Sequence, residues 1–517
     1  QWMQEGAATK QLTLAKEGPG RVYYRVGLRY APKDLQLPPA DHGFAVERTY
    51  EAVDDEEDVK QDADGTWRIK AGAQVAITPT KLTFDYRTFD KPQTIDIVAV
   101  DDAVIEDGTI VWTDGRIVAV GPRDAVQVPA DAHVIDGTGK TVIPGLIDVH
   151  AHGSMADRGI VPEQNWGQLS NLSFGVTTIH DPSNNTETIF AASELQRAGR
   201  LLAPRIYSTG TILYGAKGAG YTATVNSLDD ALSHLRRLQA VGAISVKSYN
   251  QPRRDQRQQV LEAGRQLGVM VVPEGGSTFM HNMNMIVDGH TGVEHAIPVQ
   301  DAYRDVLQIW AASGVGYTPT LGVAYGGPSG ERYWYAHTPL WENERLLAFV
   351  PRSLIDAASR RREIAPDEEY NHDDVARFGK ALVDAGGYVQ IGAHGQREGL
   401  AAHWEIWMLE QGGFTPYEAL RSATLHGARY LGLDGDLGSL TTGKLADLAV
   451  IDGNPLEDLR LSESVSHTVL GGRIYNAATM DQQWPDQVER APLSWEASRG
   501  RVDPAVASGH TCGCGRH

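Results

Sequence analysis

Short apolar runs alternate with longer amphipathic stretches through the middle of the chain. The apolar runs are typical of buried strands, and helical periodicity between them predicts helices such as Leu228–Val241 and Gln256–Leu267. The predicted strands are Leu146–His150, Val176–Asp181, Arg205–Thr209, Ile244–Ser248, Val269–Pro273, Gly292–His295, Gly316–Thr320 and Tyr388–Ala393. Strands that alternate with helices in this way predict an α/β fold with parallel strands.

The regions on the N-terminal side show period-two patterns instead. Residues 104–121 read as two short strands around Asp114-Gly115, a dipeptide typical of tight hairpins. Within residues 9–70, alternating segments are split by the acidic run at residues 54–58, which predicts antiparallel strands and a solvated loop. We therefore expect an all-β appendage before the α/β region.

Two histidines close the first strand of the α/β region. His150 and His152 lie on one face because side chains of a strand repeat every two residues. Two imidazoles directed at one point suit zinc or its first-row neighbours, and a catalytic site needs further ligands plus an open position for water. The alternative is a pair of surface or core histidines without metal.

The segments around this pair resemble the amidohydrolase superfamily, in particular its imidazolonepropionase-like and prolidase-like metal-dependent hydrolases. The motifs that carry the resemblance lie in residues 104–121, 134–152 and 438–455. The resemblance covers roughly residues 104–476. It implies a (β/α)8 TIM barrel over residues 144–436, with a small β-sandwich built from both flanks, residues 104–143 and 437–480, and a C-terminal tail over residues 481–517.

The same resemblance implies a two-metal centre at the strand ends. In this family a lysine at the position of Lys247 reacts with carbon dioxide and bridges two metals. Without that reaction, a lysine in an apolar strand end must be neutralised or paired, or its ammonium must reach solvent. His295 matches the histidine of the sixth strand. The expected ligands of two divalent ions, most simply zinc, are His150, His152, Lys247, Glu274, His295 and His394.

Two of these positions depart from the common pattern of the family. Glu274 stands where relatives have histidine, and His394 stands where they have aspartate. The exchange preserves the formal negative charge that the protein offers to the two cations, which favours a working site over one with a single metal or none. It resembles a subgroup often fused to a TolB-like β-propeller, in which Pro-Glu-Gly-Gly and Ala-His-Gly recur.

The resemblance implies a hydrolase that cleaves a C–N bond in an amide, peptide or cyclic amide, with metal-activated water as the nucleophile. For the proton shuttle we expect His394 first, then Glu274, then Asp181. Ester or lactone hydrolysis is a side possibility. The alternatives are a metal-dependent deaminase, lyase or isomerase on the same barrel, or a non-catalytic envelope binding protein.

Other polar and aromatic residues are expected near the mouth of the site. We expect Tyr249, His281 and His290 to bind substrate, although structural roles suit two histidines of one loop equally well. We expect His403 and Glu405 to brace the metal ligands through hydrogen bonds and His426 to have a structural role. The long segment over residues 321–370 is rich in aromatic residues that either line a pocket or form a satellite core or subunit contact: Tyr325, Tyr333, Trp334 and Tyr335.

Net charge and the lengths of the apolar runs exclude some classes of binding partner. The chain has 517 residues and a formal net charge of −19, which argues against nucleic acid and anionic membranes. No apolar run is long enough for a transmembrane helix, and no signal peptide is recognisable. We expect a small-molecule or peptide substrate, a homo-oligomer, and a periplasmic or secreted location.

The two ends of the chain leave their roles open. Residues 1–75 resemble a fragment of bacterial alpha-2-macroglobulin, and residues 76–103 resemble a Calx-β-like strand segment. The appendage is either a protease-trapping or adhesion module or a β region without activity, the reading that we favour. In the tail, Cys512 and Cys514 with flanking histidines either bind a metal or carry inert or oxidised sulfur.

Overall fold

The structure is a computed structural model. It describes residues 105, 107–218, 220–276 and 278–496 in full, together with the backbone of residue 497 and of the strands within residues 1–104. The chain divides into two units, residues 1–107 and 108–517. The predictions for the acidic run at residues 54–58 and for Cys512 and Cys514 fall outside the described residues.

The first unit contains short strands. Their bounds are β1 Thr9–Lys16, β2 Val22–Arg29, β3 Phe44–Glu47, β4 Glu51–Val53, β5 Val59–Gln61, β6 Trp67–Lys70, β7 Val75–Thr78, β8 Lys81–Phe84 and β9 Thr94–Ala99. One sheet has the order β1-β2-β9-β7, with antiparallel pairs throughout. Strands β3 and β8 pair antiparallel, and β6 pairs with β4 in parallel and with β5 antiparallel.

The second unit contains the α/β region and its flanks. Its strands are β10 Gly108–Thr113, β11 Arg116–Pro122, β12 Lys140–Pro144, β13 Leu146–Asp148, β14 Val176–Asp181, β15 Arg205–Ser208, β16 Ile212–Tyr214, β17 Thr222–Thr224, β18 Ser245–Ser248, β19 Met270–Pro273, β20 Gly292–Glu294, β21 Gly316–Thr318, β22 Leu448–Asp452, β23 Val465–Leu470, β24 Arg473–Asn476 and β25 Gln482–Trp484. Its helices are α1 Trp166–Ser173, α2 Thr186–Arg197, α3 Leu228–Ala240, α4 Arg254–Leu267, α5 Phe279–Asp288, α6 Arg304–Ser313, α7 Gly330–His337, α8 Glu344–Phe349, α9 Arg352–Arg360, α10 His372–Asp384, α11 Leu400–Gln411, α12 Pro416–Ser422, α13 Leu425–Tyr430 and α14 Ser494–Ala497.

Parallel pairing dominates the central strands and confirms the predicted mixed α/β class. Strands β13, β14 and β15 form one sheet, β17, β16, β18 and β19 form another, and β20 pairs with β21. Helices such as α3 and α4 connect successive strands and bury one face each, because their apolar residues recur with helical spacing. The predicted helices over Leu228–Val241 and Gln256–Leu267 match these to within two residues.

The predicted strand over Tyr388–Ala393 is wrong as a continuous strand. Only Val389 forms a bridge, in parallel with Tyr317. The amides beyond it find other acceptors, since Ile391 donates to the carbonyl of Ser422 and Ala393 donates to the Asp148 carboxylate. A backbone whose amides bond to a helix end and to a side chain cannot form a regular ladder.

The flanking strands form a separate antiparallel layer. The sheet runs β12-β22-β23-β24-β25, so residues before and after the α/β region pair directly. The β10–β11 hairpin is confirmed, and Asp114 and Gly115 both have positive φ, as the turn that joins twisted strands requires. No helix in the fully described part of the chain is long and apolar enough to cross a bilayer.

One buried ion pair connects the two layers. Arg205 on β15 donates through Nε and Nη2 to Asp447, at 2.5 and 3.0 Å, and the Asp447 side chain is only 1% exposed. The amide of Gly471, at the β23–β24 turn, donates to the same carboxylate. Asp447 therefore holds a strand of the α/β region and the flanking sheet together.

Replacing Arg205 with Met should lower the free energy of unfolding by about 3 kcal/mol, because Asp447 would remain buried without its cation. Urea denaturation monitored by circular dichroism measures the change. The control is Arg253→Met, which breaks an ion pair in which both side chains are 58% exposed, and it should change stability by less than about 0.5 kcal/mol. Equal effects of the two variants would contradict a structural role for the Arg205–Asp447 pair.

Candidate metal centre

Four histidines from distant parts of the chain meet at the ends of the central strands. The ring centroid of His150 lies 4.9, 5.0 and 5.1 Å from the ring centroids of His152, His295 and His394, respectively. The potential ligand atoms of His150, His295 and His394 all lie within 4.8 Å of one another. This separation is close to the limit of about 4.2 Å for two nitrogens that share one ion through Zn–N bonds of about 2.0–2.1 Å.

Local backbone geometry directs these rings inward. His150 and His152 follow β13, where the amide of Ala151 is held by the carbonyl of His180. His295 follows β20 and His394 follows the irregular segment after Val389, and both have left-handed φ, +68° and +58°. Such a conformation is uncommon for residues other than glycine and occurs most often at functional positions.

Three of the four rings are held by their Nδ1 atoms. His150 Nδ1 lies 2.6 Å from Glu294 Oε2, His152 Nδ1 lies 2.9 Å from Asp181 Oδ1, and His295 Nδ1 lies 2.7 Å from Thr320 Oγ1. An ionised carboxylate only accepts hydrogen bonds, so the ionised forms of Glu294 and Asp181 hold the protons of His150 and His152 on Nδ1. Their Nε2 atoms are then left with lone pairs available for a metal.

The two Nε2 atoms of His150 and His152 approach within 3.2 Å of each other. Two lone pairs this close repel unless a proton or a cation lies between them. Burial, followed by the charge of Lys247, lowers the pKa of His150 well below its usual range, which disfavours the proton. The donor set therefore fits a divalent cation.

Lys247 and Glu274 form an ion pair that also contacts the histidine cluster through His295. Lys247 Nζ lies 2.6 Å from Glu274 Oε2, and His295 Nε2 lies 3.0 Å from Glu274 Oε1. Burial alone would raise the pKa of Glu274, but Lys247 and His295 together bring it well below its usual range. The structure thus brings together all six residues that the sequence predicts as metal ligands.

His394 is the least restrained of the four histidines. Its amide donates to the carbonyl of His150 at 2.6 Å, and its ring stacks on the His150 ring at 24°. Among the residues described, no side chain or carbonyl forms a hydrogen bond with its ring nitrogens. Burial and the neighbouring His152 lower its pKa well below the usual range, so the neutral ring is favoured.

The other predicted residues have different surroundings. Asp181 accepts hydrogen bonds from His152, from the amide of Ser183 at 3.0 Å and from Asn184 Nδ2 at 2.6 Å. Tyr249 packs edge-on against Tyr214. The carboxylate of Asp181 is thus already engaged in orienting His152.

The two loop histidines differ from each other. The His281 ring lies next to Gly276, where an added Cβ would meet its Cδ2 at 2.4 Å, so the ring is close to the segment that carries Glu274. His290 is buried at the end of α5 and its Nδ1 contacts the carbonyl of Met285, while burial lowers its pKa to about 4. His290 is thus placed for packing, and His281 is the better placed of the two for substrate.

His403 and Glu405, which we expected to support the metal ligands, form their hydrogen bonds with other parts of the described chain. His403 bonds to Ser462 and to the carbonyl of Phe174. Glu405 accepts the amides of Leu321 and Gly322, directly after Thr320. His426 bonds to the carbonyl of Val389, in agreement with a structural role.

The aromatic residues of the long segment have two kinds of surroundings. Trp334 and Tyr335 are fully buried against Trp404 and belong to the main hydrophobic core rather than to a satellite one, and Tyr333 packs partly buried against that core. Tyr325 is 49% exposed, and its ring centroid lies 6.1 Å from that of His295, which places it beside the metal centre.

Sequence reasoning missed Glu294, Thr320 and Asp148. The carboxylate of Asp148 accepts the amides of His150 and Ala393 and so connects the first and last segments of the site. A signal was present for the two acids, since each interrupts a short apolar strand where an isolated charge would be costly. Thr320 has no comparable signal, because threonine is common in strands.

The chain matches the model of the amidohydrolase family over residues 141–475. It is 26% identical over 377 residues to a 5-methylthioadenosine/S-adenosylhomocysteine deaminase of Symbiobacterium thermophilum, a match that covers 68% of this chain and 81% of that protein. It is 25% identical over 394 residues to an imidazolonepropionase of the same organism, covering 68% and 85%. Among solved structures, molinate hydrolase superposes with a TM-score of 0.58 at 17% identity, covering 78% of this chain and 96% of that one, and this likeness shows the fold alone.

Asp148 should make stability depend on pH. Burial raises its pKa from 3.8 to about 6, so the folded protein favours the neutral carboxyl. The resulting stabilisation is complete below pH about 4 and is lost as the pH rises through about 6. The side chain of Asn keeps the acceptor for both amides, so the stability of Asp148→Asn relative to the unsubstituted protein should increase by about 3 kcal/mol from pH 4 to pH 7. Urea titrations of chelator-treated protein test this, and a difference that stays constant with pH would contradict it.

Proposed function

The chain belongs to the amidohydrolase family of metal-dependent enzymes that act on C–N bonds, and we propose that it hydrolyses an amide, peptide or cyclic amide at a two-metal centre. The ligands in this proposal are His150, His152, Lys247, Glu274, His295 and His394. The single observation that carries it is the 3.2 Å approach of two Nε2 atoms whose protons are held on Nδ1 by carboxylates.

The reaction divides between the cations and the protein. When bound, the cations would supply Lewis acidity, which lowers the pKa of water and polarises the scissile carbonyl. The protein must hold the rings that present the lone pairs and must carry one proton from the attacking water to the leaving nitrogen. Asp181 serves the first task by holding His152.

We assign the proton transfer to His394. Its ring nitrogens have no hydrogen-bond partner among the described residues, so one of them is available to accept the proton. Glu274 ranks second because Lys247 and His295 already engage its two oxygens. Asp181 ranks third because His152, Ser183 and Asn184 use its carboxylate.

Carboxylation of Lys247 is part of the proposal. The neutral amine adds to carbon dioxide, forms an N–C bond and releases one proton, which leaves a carbamate anion. That anion would lie beside Glu274, now 2.6 Å from the lysine nitrogen. Two negative groups this close would need cations to compensate their charge. We therefore expect Lys247 to be carboxylated when the metals bind.

The proposal extends to the fold around the site. We infer that the parallel strands close into a (β/α)8 barrel, because the segment 388–394 bonds to Tyr317 on one side and to Val149 and His150 on the other. The strands before residue 144 and after residue 437 would form the family's β-sandwich. The substrate is then a small molecule or peptide bound at the strand ends, and the enzyme is a homo-oligomer.

Metal analysis tests the two-metal centre. Purified protein should contain two divalent ions per chain, most simply zinc. The peptide that contains Lys247, handled without acid, should exceed its unmodified mass by one carbon dioxide. Lys247→Ala should lower both the metal content and the activity. The proposal fails if the protein holds well under two metals per chain and Lys247→Ala keeps full activity.

Removal of the proposed proton carrier should affect kcat more than metal content. His394→Ala should lower kcat by about 10²–10⁴-fold, which is the usual contribution of a general acid–base group. The matched control is His234→Ala, a half-buried histidine of α3 bonded to the carbonyl of Thr224, with activity expected to be unchanged. If His394→Ala lowers the metal content but leaves kcat per metal-loaded enzyme unchanged, His394 is a ligand alone.

Hydrolytic deamination is the second candidate, because one of the relatives is named a deaminase. Both reactions add water at a carbon bonded to nitrogen, but deamination releases ammonia. A screen of N-acyl amino acids, dipeptides, cyclic imides and aminopurines, with ammonia and product mass as readouts, separates the two functions.

A further inference from the structure

A buried carboxylate lies directly behind His150. Glu294 on β20 is fully buried, and its Oε2 lies 2.6 Å from His150 Nδ1. Its other oxygen, Oε1, accepts hydrogen bonds from the hydroxyl groups of Thr318 and Tyr430. All three hydrogen bonds that Glu294 forms with the described residues are with donors, and one of these donors is a proposed ligand of the metal.

The strands are shaped to admit Tyr430. An added Cβ at Gly292 would lie 2.5 Å from Tyr430 Cε2, and an added Cβ at Gly316 would lie 2.8 Å from Tyr430 Cδ2. Glycine within a strand often marks such a close approach. The Tyr430 ring from α13 thus packs against two neighbouring strands at positions where a side chain larger than that of glycine would clash with it. Its hydroxyl donates to Glu294.

The remaining donor is oriented in the same direction. Gln390 Nε2 donates to Thr318 Oγ1 at 2.7 Å, so the threonine hydroxyl directs its own proton to Glu294 Oε1, 3.2 Å away. With two hydroxyl protons on Oε1, the carboxylate presents Oε2 to the imidazole as an acceptor. The proton of His150 is accordingly held on Nδ1.

We propose that Glu294 is a positioning residue that sets the tautomer and orientation of His150 for the metal, with Tyr430 holding the carboxylate in place. The proposal rests on the metal centre of the proposed function and goes beyond it by assigning one ligand's geometry to a network that includes α13. Glu294 differs from Asp181 in that two hydroxyl groups donate to its second oxygen, whereas the second oxygen of Asp181 accepts from Asn184 Nδ2.

The test measures Co²⁺ affinity of metal-free protein by competition with a chromophoric chelator. Glu294→Gln keeps the shape of the side chain and removes its charge, and it should weaken Co²⁺ binding by about 10–100-fold, as loss of a ligand's supporting partner does. Tyr430→Phe should give a smaller loss, because the carboxylate remains but loses one donor. The matched control is Glu405→Gln, an equally buried acid that bonds to backbone amides only, and it should stay within about threefold of the unsubstituted protein.

The d–d absorption of bound Co²⁺ provides a readout that a loss of stability alone would not change. A changed band shape in Glu294→Gln, with the unchanged spectrum in Glu405→Gln, supports positioning of His150. Equal affinity and equal spectra in the two Gln variants would overturn the proposal.

A measurement on the unsubstituted protein covers the case in which Glu294→Gln does not fold. In ¹⁵N-histidine-labelled, metal-free protein, with His150→Gln used to assign the signal, His150 should show the Nδ1–H tautomer. The Nε2–H tautomer would overturn the role of Glu294 even if the protein binds two metals. Conversely, the Nδ1–H tautomer in a protein that binds no Co²⁺ would support the role of Glu294 in setting the tautomer of His150 and would reject the metal centre.

Discussion

The imidazole rings at the strand ends depend on hydrogen bonds to their Nδ1 atoms. Glu294, Asp181 and Thr320 hold His150, His152 and His295, at 2.6, 2.9 and 2.7 Å. The two carboxylates set which nitrogen of His150 and His152 carries the proton, and all three bonds set where the other nitrogen points. The close approach of the His150 and His152 Nε2 atoms, and with it the suitability of the cluster for a cation, follows from the contacts with Glu294 and Asp181.

Charge explains why the cluster needs so many acids. Buried imidazoles and one buried lysine would be costly without negative groups, and burial likewise opposes isolated carboxylates. Glu274 compensates Lys247 directly, while burial raises the pKa of Glu294 to about 7 against the opposing effects of Lys247 and of the Tyr430 and Thr318 hydroxyl groups. The centre is therefore close to charge balance only while its acids and bases remain together.

Close backbone packing enforces this arrangement. A Cβ at Gly275 would lie 1.7 Å from the carbonyl oxygen of Glu294, and a Cβ at Gly395 would lie 2.2 Å from that of His152. These glycines follow Glu274 and His394 immediately, so each proposed ligand is pressed against a segment that carries another. The left-handed φ of His295 and His394 has the same origin, since the chain must turn sharply to bring both rings to one point.

The sequence by itself determined the α/β class and the Asp114-Gly115 hairpin, because strand periodicity and turn chemistry are local properties. By its resemblance to the amidohydrolase superfamily, the sequence also predicted the six residues that we propose as metal ligands. It could not place the groups that hold those ligands. Glu294 and His150 are 144 residues apart and His295 and Thr320 are 25 apart, so no local pattern joins them. It also could not show that the predicted strand over Tyr388–Ala393 is interrupted, because the amides there bond to Asp148 and Ser422. Only the tertiary structure decided which side chain each buried donor met, since buried polar groups take whatever partner the packing provides.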